Sequence, residues 1–236
     1  MKGKEGTNVT LTIQRAGKGN FDVVAKREKI EYNTVTGQML SNSIGYIDIS
    51  MFDENTGENF NKKLQELKNS GMKGLILDLR DNGGGILDDC LDVASNFVDK
   101  GKTVVYTADK NGKKQVYKSK GGSAIGIPLV VLTNGNTASA SEIFSGAIKD
   151  YKAGTLIGEK TFGKGVVQTS FNTGDNTQLK VTISKWYTPL DENINHKGFQ
   201  PDMEVKYPQE LLNKPYDRNS DPQFKKALEV ISSKIK

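Results

Sequence analysis

Three stretches of the chain hold residue types that could do chemistry together. Thr137-Ala-Ser-Ala-Ser-Glu-Ile143 follows an apolar run and opens a helical pattern, a strand–turn–helix setting that presents Ser139 outward. A helix start also supplies unpaired backbone N–H groups able to hold an anion. The second stretch, Thr161-Phe-Gly-Lys-Gly165, sets Lys164 between two glycines, 25 residues after Ser139. A serine hydroxyl is a weak nucleophile until a base takes its proton, and a lysine amine serves only when neutral. That requires its pKa to come down from ~10.4 to roughly 7–8 by desolvation. Phe162, Val166 and Val167 offer the apolar wall. With a strand beginning at Lys164, Gln168 shares its face and can hold the amine without adding charge.

The third stretch, Asp81-Asn-Gly-Gly-Gly85, lies between an apolar strand pattern and a helical one. Bare glycine N–H groups in such a turn form an anion nest, suited to an oxyanion in acyl transfer. Each stretch also has a plainer reading. Thr137 or Ser139 can be an N-cap with Glu142 completing a capping box, Lys164 a solvated lysine at a turn, and the glycines a simple βα turn. Neither G-x-G-x-x-G nor a Walker loop is present, which argues against nucleotide binding.

The composition narrows the chemistry further. The single cysteine, Cys90, rules out an internal disulfide and a cysteine-based metal cluster, and it falls on the apolar side of a helical pattern as a core thiol. The single histidine, His196, cannot build a His-rich metal site. Any serine nucleophile would then pair more readily with a base other than histidine. The net charge of +5 comes from scattered lysines without interleaved aromatics, which speaks against nucleic acid as a partner. The mean hydropathy is −0.53, and no run approaches the ~18 apolar residues that span a bilayer. No signal-peptide pattern precedes Thr7.

These residues need a layered framework. Alternation predicts strands at 8–13 and Phe21–Ala25, then at Ile30–Thr36 and Ile44–Ile49. Phe60, Leu64 and Leu67 mark a helix ended by Gly71, and 74–79 reads as a buried strand. Leu87, Leu91, Ala94 and Val98 mark a second helix, 127–132 a further buried strand, and Ser141 to about Asp150 a third helix. Strands are expected at Thr103–Thr107, Gln115–Tyr117, Gly154–Gly158, Gly165–Ser170 and Gln178–Trp186. The tail, 207–236, is polar with one amphipathic helix. The class is α/β, with β-rich extensions flanking a layered core.

At these residues the chain resembles the carboxyl-terminal processing peptidases, or tail-specific proteases. The resemblance rests on 127–143 with Ser139, 158–165 with Lys164 and Gln168, Trp186-Tyr-Thr-Pro189 and Gly198-Phe-Gln-Pro-Asp202. It covers about residues 30–205 and implies a ClpP/crotonase-like core and a serine endopeptidase with a Ser-Lys pair, without cofactor or metal. It implies Ser139 as nucleophile, Lys164 as general base and Gln168 as the residue orienting the lysine. Oxyanion donors fall on Ala140 and on one glycine of the turn, Gly84 or Gly85. It further implies protein or peptide substrates with unstructured C-termini, action outside the cytoplasm (periplasm, cell envelope or secreted), and room for a homo-oligomer. Two departures stand out: the family's Asn-Pro-Gly-Gly is Asn82-Gly-Gly-Gly85 here, and 1–29 resembles only the last strands of a PDZ domain. The expected organisation is that remnant at 1–29, a protease core at 30–206 and the tail at 207–236. A catalytically silent peptide-binding scaffold, and a hydrolase acting on small thioesters, remain as rival readings of the same fold.

Overall fold

The computed structural model describes every residue except Lys2, Ile30, Glu31, Asn176 and Lys236. It divides into two compact units, 1–33 and 34–236. The first is an antiparallel hairpin of β1 (Asn8–Arg15) and β2 (Gly19–Lys26), with Asn8 opposite Lys26 and Arg15 opposite Gly19. Gly17 and Gly19 take positive φ in the turn, as expected for a tight connection.

The second unit contains the remaining elements: β3 (Val35–Met39), β4 (Ile44–Ile49), α1 (Thr56–Asn69), β5 (Gly74–Asp78), α2 (Leu87–Ser95), β6 (Thr103–Asp109), β7 (Lys114–Lys118), β8 (Leu129–Thr133), α3 (Ala140–Asp150), β9 (Thr155–Gly158), β10 (Val166–Gly174), β11 (Thr177–Tyr187), β12 (Met203–Glu204), α4 (Gln209–Leu212) and α5 (Pro222–Lys234). The strand expected over Ile30–Thr36 begins in residues outside those described. Its described part becomes a strand only at Val35.

Six strands form the main sheet in the order β12-β9-β8-β5-β4-β3, parallel except for the antiparallel edge strand β3. Every residue of β5 and β8 is buried, which is why both read as unbroken apolar runs. Their side chains divide with period two. Leu75, Leu77 and Val131 join Phe60, Leu64, Phe97 and Phe144 in the core under α1–α3. Ile76, Val130 and Leu132 join Tyr46, Phe224, Ala227 and Ile231 under α5. The polar-looking tail thus supplies the second covering layer. Its helix starts sharply: Asp221 accepts hydrogen bonds from the N–H groups of Gln223 and Phe224, and Pro222 occupies the first turn. A second, antiparallel sheet runs β10-β11-β6-β7.

Parallel pairing sets Asp78 beside Leu132, so the loops leaving β5 and β8 emerge side by side at the carboxyl end of the sheet. These loops carry the glycine turn and Ser139.

Candidate active site

The loop after β8 is locked before it reaches the serine. Thr137 is fully buried; its hydroxyl donates to the Leu79 carbonyl at 2.8 Å and accepts from the Asn134 N–H at 2.9 Å. The Ala138 N–H donates to the Asn82 carbonyl at 3.0 Å. Ser139 then takes φ 57° and ψ −117°, unusual for a non-glycine residue, and α3 begins at Ala140. Its N–H donates to Glu142 Oε2 at 2.9 Å, so Ser139 is the helix cap that the plainer reading describes and is also turned into a cavity.

The lysine loop is held by the same carboxylate. Glu142 is fully buried, and its Oε1 accepts from the Thr161 hydroxyl (2.6 Å) and the Gly163 N–H (2.7 Å), while Oε2 also accepts from the Lys164 N–H at 2.9 Å. A buried carboxylate requires such donors, and four are supplied. From the other side the Trp186 indole donates to the Lys164 carbonyl at 2.7 Å. Gly165 donates to the Asn195 side chain and accepts from that of Asn193. A Cβ at Gly163 would lie 2.8 Å from the Gly198 nitrogen, and one at Gly165 2.6 Å from the Asn195 nitrogen. Lys164 is half-buried on a packed turn, rather than at the tip of a solvated one.

The glycine turn is tied to both neighbours through Asn82, itself fully buried. Its amide donates to the Ile49 carbonyl at 2.7 Å, its Oδ1 accepts from the Gly84 N–H at 2.9 Å, and its carbonyl also accepts from the Ser141 hydroxyl at 3.1 Å. Asp81 adds a second tie, accepting from the amides of Asn134 and Asn136. Gly84 lies against Ser139: a Cβ there would sit 2.8 Å from the Ser139 Cβ. Its N–H is committed to Asn82, whereas those of Gly85 and Ala140 have no hydrogen-bond partner among the described residues.

Ser139, Lys164, Gln168, Gly85 and Ala140 line one cavity of about 240 Å³, with an apolar wall of Leu87, Val105, Ile143, Val167 and Trp186. Gln168 arrives differently from the simple alternation expected. β10 begins at Val166, and a bulge between Val167 and Gln168 shifts the register, placing Gln168 opposite Thr182, whose hydroxyl is 3.5 Å from its amide nitrogen. His196 is exposed on the 193–198 loop and does not line the cavity. Cys90 is buried and its thiol donates to the Ala140 carbonyl; burial pushes its pKa well above the usual thiol range.

Behind the glycine turn lies a buried ionic cluster that the sequence did not announce. Arg80 pairs with Asp78 at 2.6 Å and with Asp221, at the start of α5, at 2.7 Å. Tyr46 donates to Asp78, Tyr216 to Asp221, and Arg80 also donates to Gln223. Burial works against the Arg80 charge, but the two carboxylates outweigh it and hold its pKa above the usual range. The Tyr46 hydroxyl is pushed up by burial and then by Asp78. Asp48, at the end of β4, is pushed up to about 6, first by burial and then by Asp78.

A strained serine at a helix start, a packed lysine turn and free N–H groups around one cavity define a candidate serine-hydrolase site on an α/β layered fold. Comparison with known proteins specifies the family. The profile of peptidase family S41 matches residues 43–205, and the chain belongs to that family. It is 41% identical over 208 residues to the carboxy-terminal processing protease CtpA of Bacillus subtilis, covering 88% of this chain and 45% of that protein. It is 37% identical over 238 residues to a probable CtpA-like serine protease of Staphylococcus saprophyticus, covering 98% of this chain and 48% of that one. The chain therefore spans about half the length of these relatives. Among solved structures, it superposes on the photosystem II D1 C-terminal processing protease with a TM-score of 0.66 at 33% identity, over 86% of this chain and 57% of that one. A putative S41 protease from Bacteroides fragilis shares the fold, with a TM-score of 0.74 at 19% identity over 97% of this chain and 66% of that one.

Proposed function

We propose that this chain is a serine endopeptidase that cleaves protein substrates at or near their C-termini through a Ser-Lys mechanism. The observation that carries the reading is that Ser139 and Lys164 line one cavity, on loops held by the single carboxylate of Glu142. In this mechanism the neutral Lys164 amine takes the Ser139 proton as the hydroxyl oxygen attacks the scissile carbonyl. The resulting oxyanion accepts from the N–H groups of Ala140 and Gly85, which are unpartnered among the described residues and point to Gly85 rather than Gly84 as the second donor. Lys164, now an ammonium, protonates the leaving amine. Water then resolves the acyl-enzyme, with Lys164 again as base and Gln168 holding the amine.

On this reading residues 30–206 are the protease core, α5 braces it from behind, and 1–29, with the β1–β2 hairpin, is the end of a peptide-binding PDZ module. Action outside the cytoplasm follows the family resemblance. The test uses the Ser139→Ala and Lys164→Ala variants with an unfolded protein substrate and a serine-reactive phosphonate. Wild-type cleavage with labelling at Ser139, both lost in Ser139→Ala and cleavage lost in Lys164→Ala, is the expected result. Cleavage by Ser139→Ala would overturn the assignment, and a folded wild type that neither cleaves nor labels would favour a silent scaffold.

A further inference from the structure

The cavity is chemically lopsided. Its wall is apolar, its two charged side chains are both lysines, and among the described residues no aspartate or glutamate lines it. Glu142, on the serine helix, lies beneath the loops with both oxygens occupied by four donors. The second lysine, Lys180, comes from β11. The register pairs Gln168 with Thr182 and Ser170 with Lys180, so Lys180 stands on the same face of the β10–β11 ribbon as Gln168. It is exposed at the cavity, and among the described residues it forms no ion pair.

We propose that Lys180 is a specificity-determining residue of this site, selecting substrates that set a carboxylate beside the apolar residue held against the Leu87–Trp186 wall. The inference rests on the endopeptidase reading and adds the substrate chemistry. Lys164 is the base of that mechanism, and Lys180 adds a second basic side chain to a cleft that no carboxylate lines among the described residues. Apolar walls lined by one sign of charge focus its field. A lysine or arginine of the substrate is repelled there and a carboxylate is drawn in. The carboxylate has two sources with the same chemistry: the substrate's own α-carboxylate, or an aspartate or glutamate side chain. An exposed pair of this kind changes selectivity by about two- to fivefold.

The experiment uses the full 236-residue chain and four peptides sharing one apolar cleavage site. Two end two residues beyond the scissile bond, one as the free acid and one as the amide. Two are longer and amidated, with glutamate or glutamine at that second position. The wild type is expected to favour the charged member of at least one pair about two- to fivefold in kcat/KM, with the preference falling as salt is raised. The ratio should approach one in Lys180→Gln, invert in Lys180→Glu and return in Lys180→Arg. Movement in the acid–amide pair alone identifies the chain terminus as the source, and movement in the glutamate–glutamine pair alone identifies a side chain. Binding of the same peptides to Ser139→Ala, read by fluorescence anisotropy, reports the preference without turnover, so a failure of the protease reading leaves this inference decidable. A wild-type ratio of one in both pairs, or the same ratio in wild type and Lys180→Glu, overturns it.

Discussion

Glu142 follows Ser139 by three residues and precedes Lys164 by 22, and one of its oxygens accepts the backbone N–H of both at 2.9 Å. Two loops from distant parts of the chain therefore share one rigid reference point below the cavity. A serine–lysine pair works only if both partners are positioned to within a fraction of an ångström, and a 1 Å displacement can cost about 100-fold in rate. Glu142 is best described as a positioning residue, since it does not line the cavity.

Glu142→Gln should keep the fold and lose function. The amide retains one acceptor oxygen but turns an NH₂ toward backbone donors, leaving some of them unpaired at about 1–3 kcal/mol. We expect cleavage and phosphonate labelling to fall roughly 10- to 100-fold. Glu142→Ala orphans all four donors and should lower stability by more than about 3 kcal/mol in urea unfolding. Wild-type rates in Glu142→Gln would show that the shared anchor is unimportant for the site.

The three glycines of the 83–85 turn should separate sharply on substitution. Gly83 is not among the positive-φ glycines and has nothing within 4 Å of an added Cβ, so Gly83→Ala should be tolerated and gain about 0.4–1 kcal/mol by restricting the unfolded chain. Gly84 takes φ 96° with a Cβ position 2.7 Å from the Ala138 carbonyl oxygen, and Gly85 takes φ 140° with one that runs into the Phe52 carbonyl. Alanine at either should cost roughly 1–3 kcal/mol in strain alone, and activity with it. Thermal melts beside peptidase assays on the three variants distinguish the positions. Equal effects at all three would contradict this geometry.

The sequence made the skeleton legible where burial is symmetric or periodic. The runs at 74–79 and 127–132 read as strands because both faces are covered, and α1 read as a helix because Phe60, Leu64 and Leu67 fall on one face. Ser139, Lys164 and the glycine turn could be picked out because each sits at a break between such elements. Their partners could not. Glu142 was visible only as a local cap, since its other bonds reach residues 19–22 positions away. Asn193 and Asn195 lie in a polar stretch without periodicity, although they clamp Gly165. The bulge before Gln168 depends on cross-strand register, which alternation within one strand does not reveal.

Asp48 should make stability depend on pH in a direction opposite to most carboxylates. Its pKa in the fold is about 6, against ~3.9 for an unfolded chain, so between these values the folded state holds a proton that the unfolded state releases. Stability contributed here is present at low pH and lost as pH rises through the window. After discounting for solvent screening of this partly exposed group, the loss is about 1–2 kcal/mol. Asp48→Asn should therefore stabilise the protein by that amount at pH 7–8 and by almost nothing at pH 4. A difference that is constant across pH, measured by urea unfolding, would rule out titration of Asp48 as the cause.

Arg80 and Asp221 are 141 residues apart in sequence and 2.7 Å apart in the fold, with side chains 11% and 0% exposed. Arg80 immediately precedes the glycine turn and Asp221 caps α5, so the pair joins the last helix to the back of the site. Removing the guanidinium leaves two buried carboxylates facing each other, and Arg80→Gln should cost about 3–5 kcal/mol. Asp221→Asn keeps the helix cap on its one amide oxygen but turns its NH₂ toward the guanidinium and the Tyr216 hydroxyl, and should cost less than Arg80→Gln, about 1–3 kcal/mol. Combined, the two should cost less than their sum by roughly 0.5–3 kcal/mol, because Asp221→Asn removes one of the two carboxylates that the guanidinium neutralises. Urea unfolding of the four proteins closes this cycle. Strict additivity would mean that α5 is bound to the sheet by its apolar face alone, and that the ion pair does not link the C-terminal helix to the glycine turn.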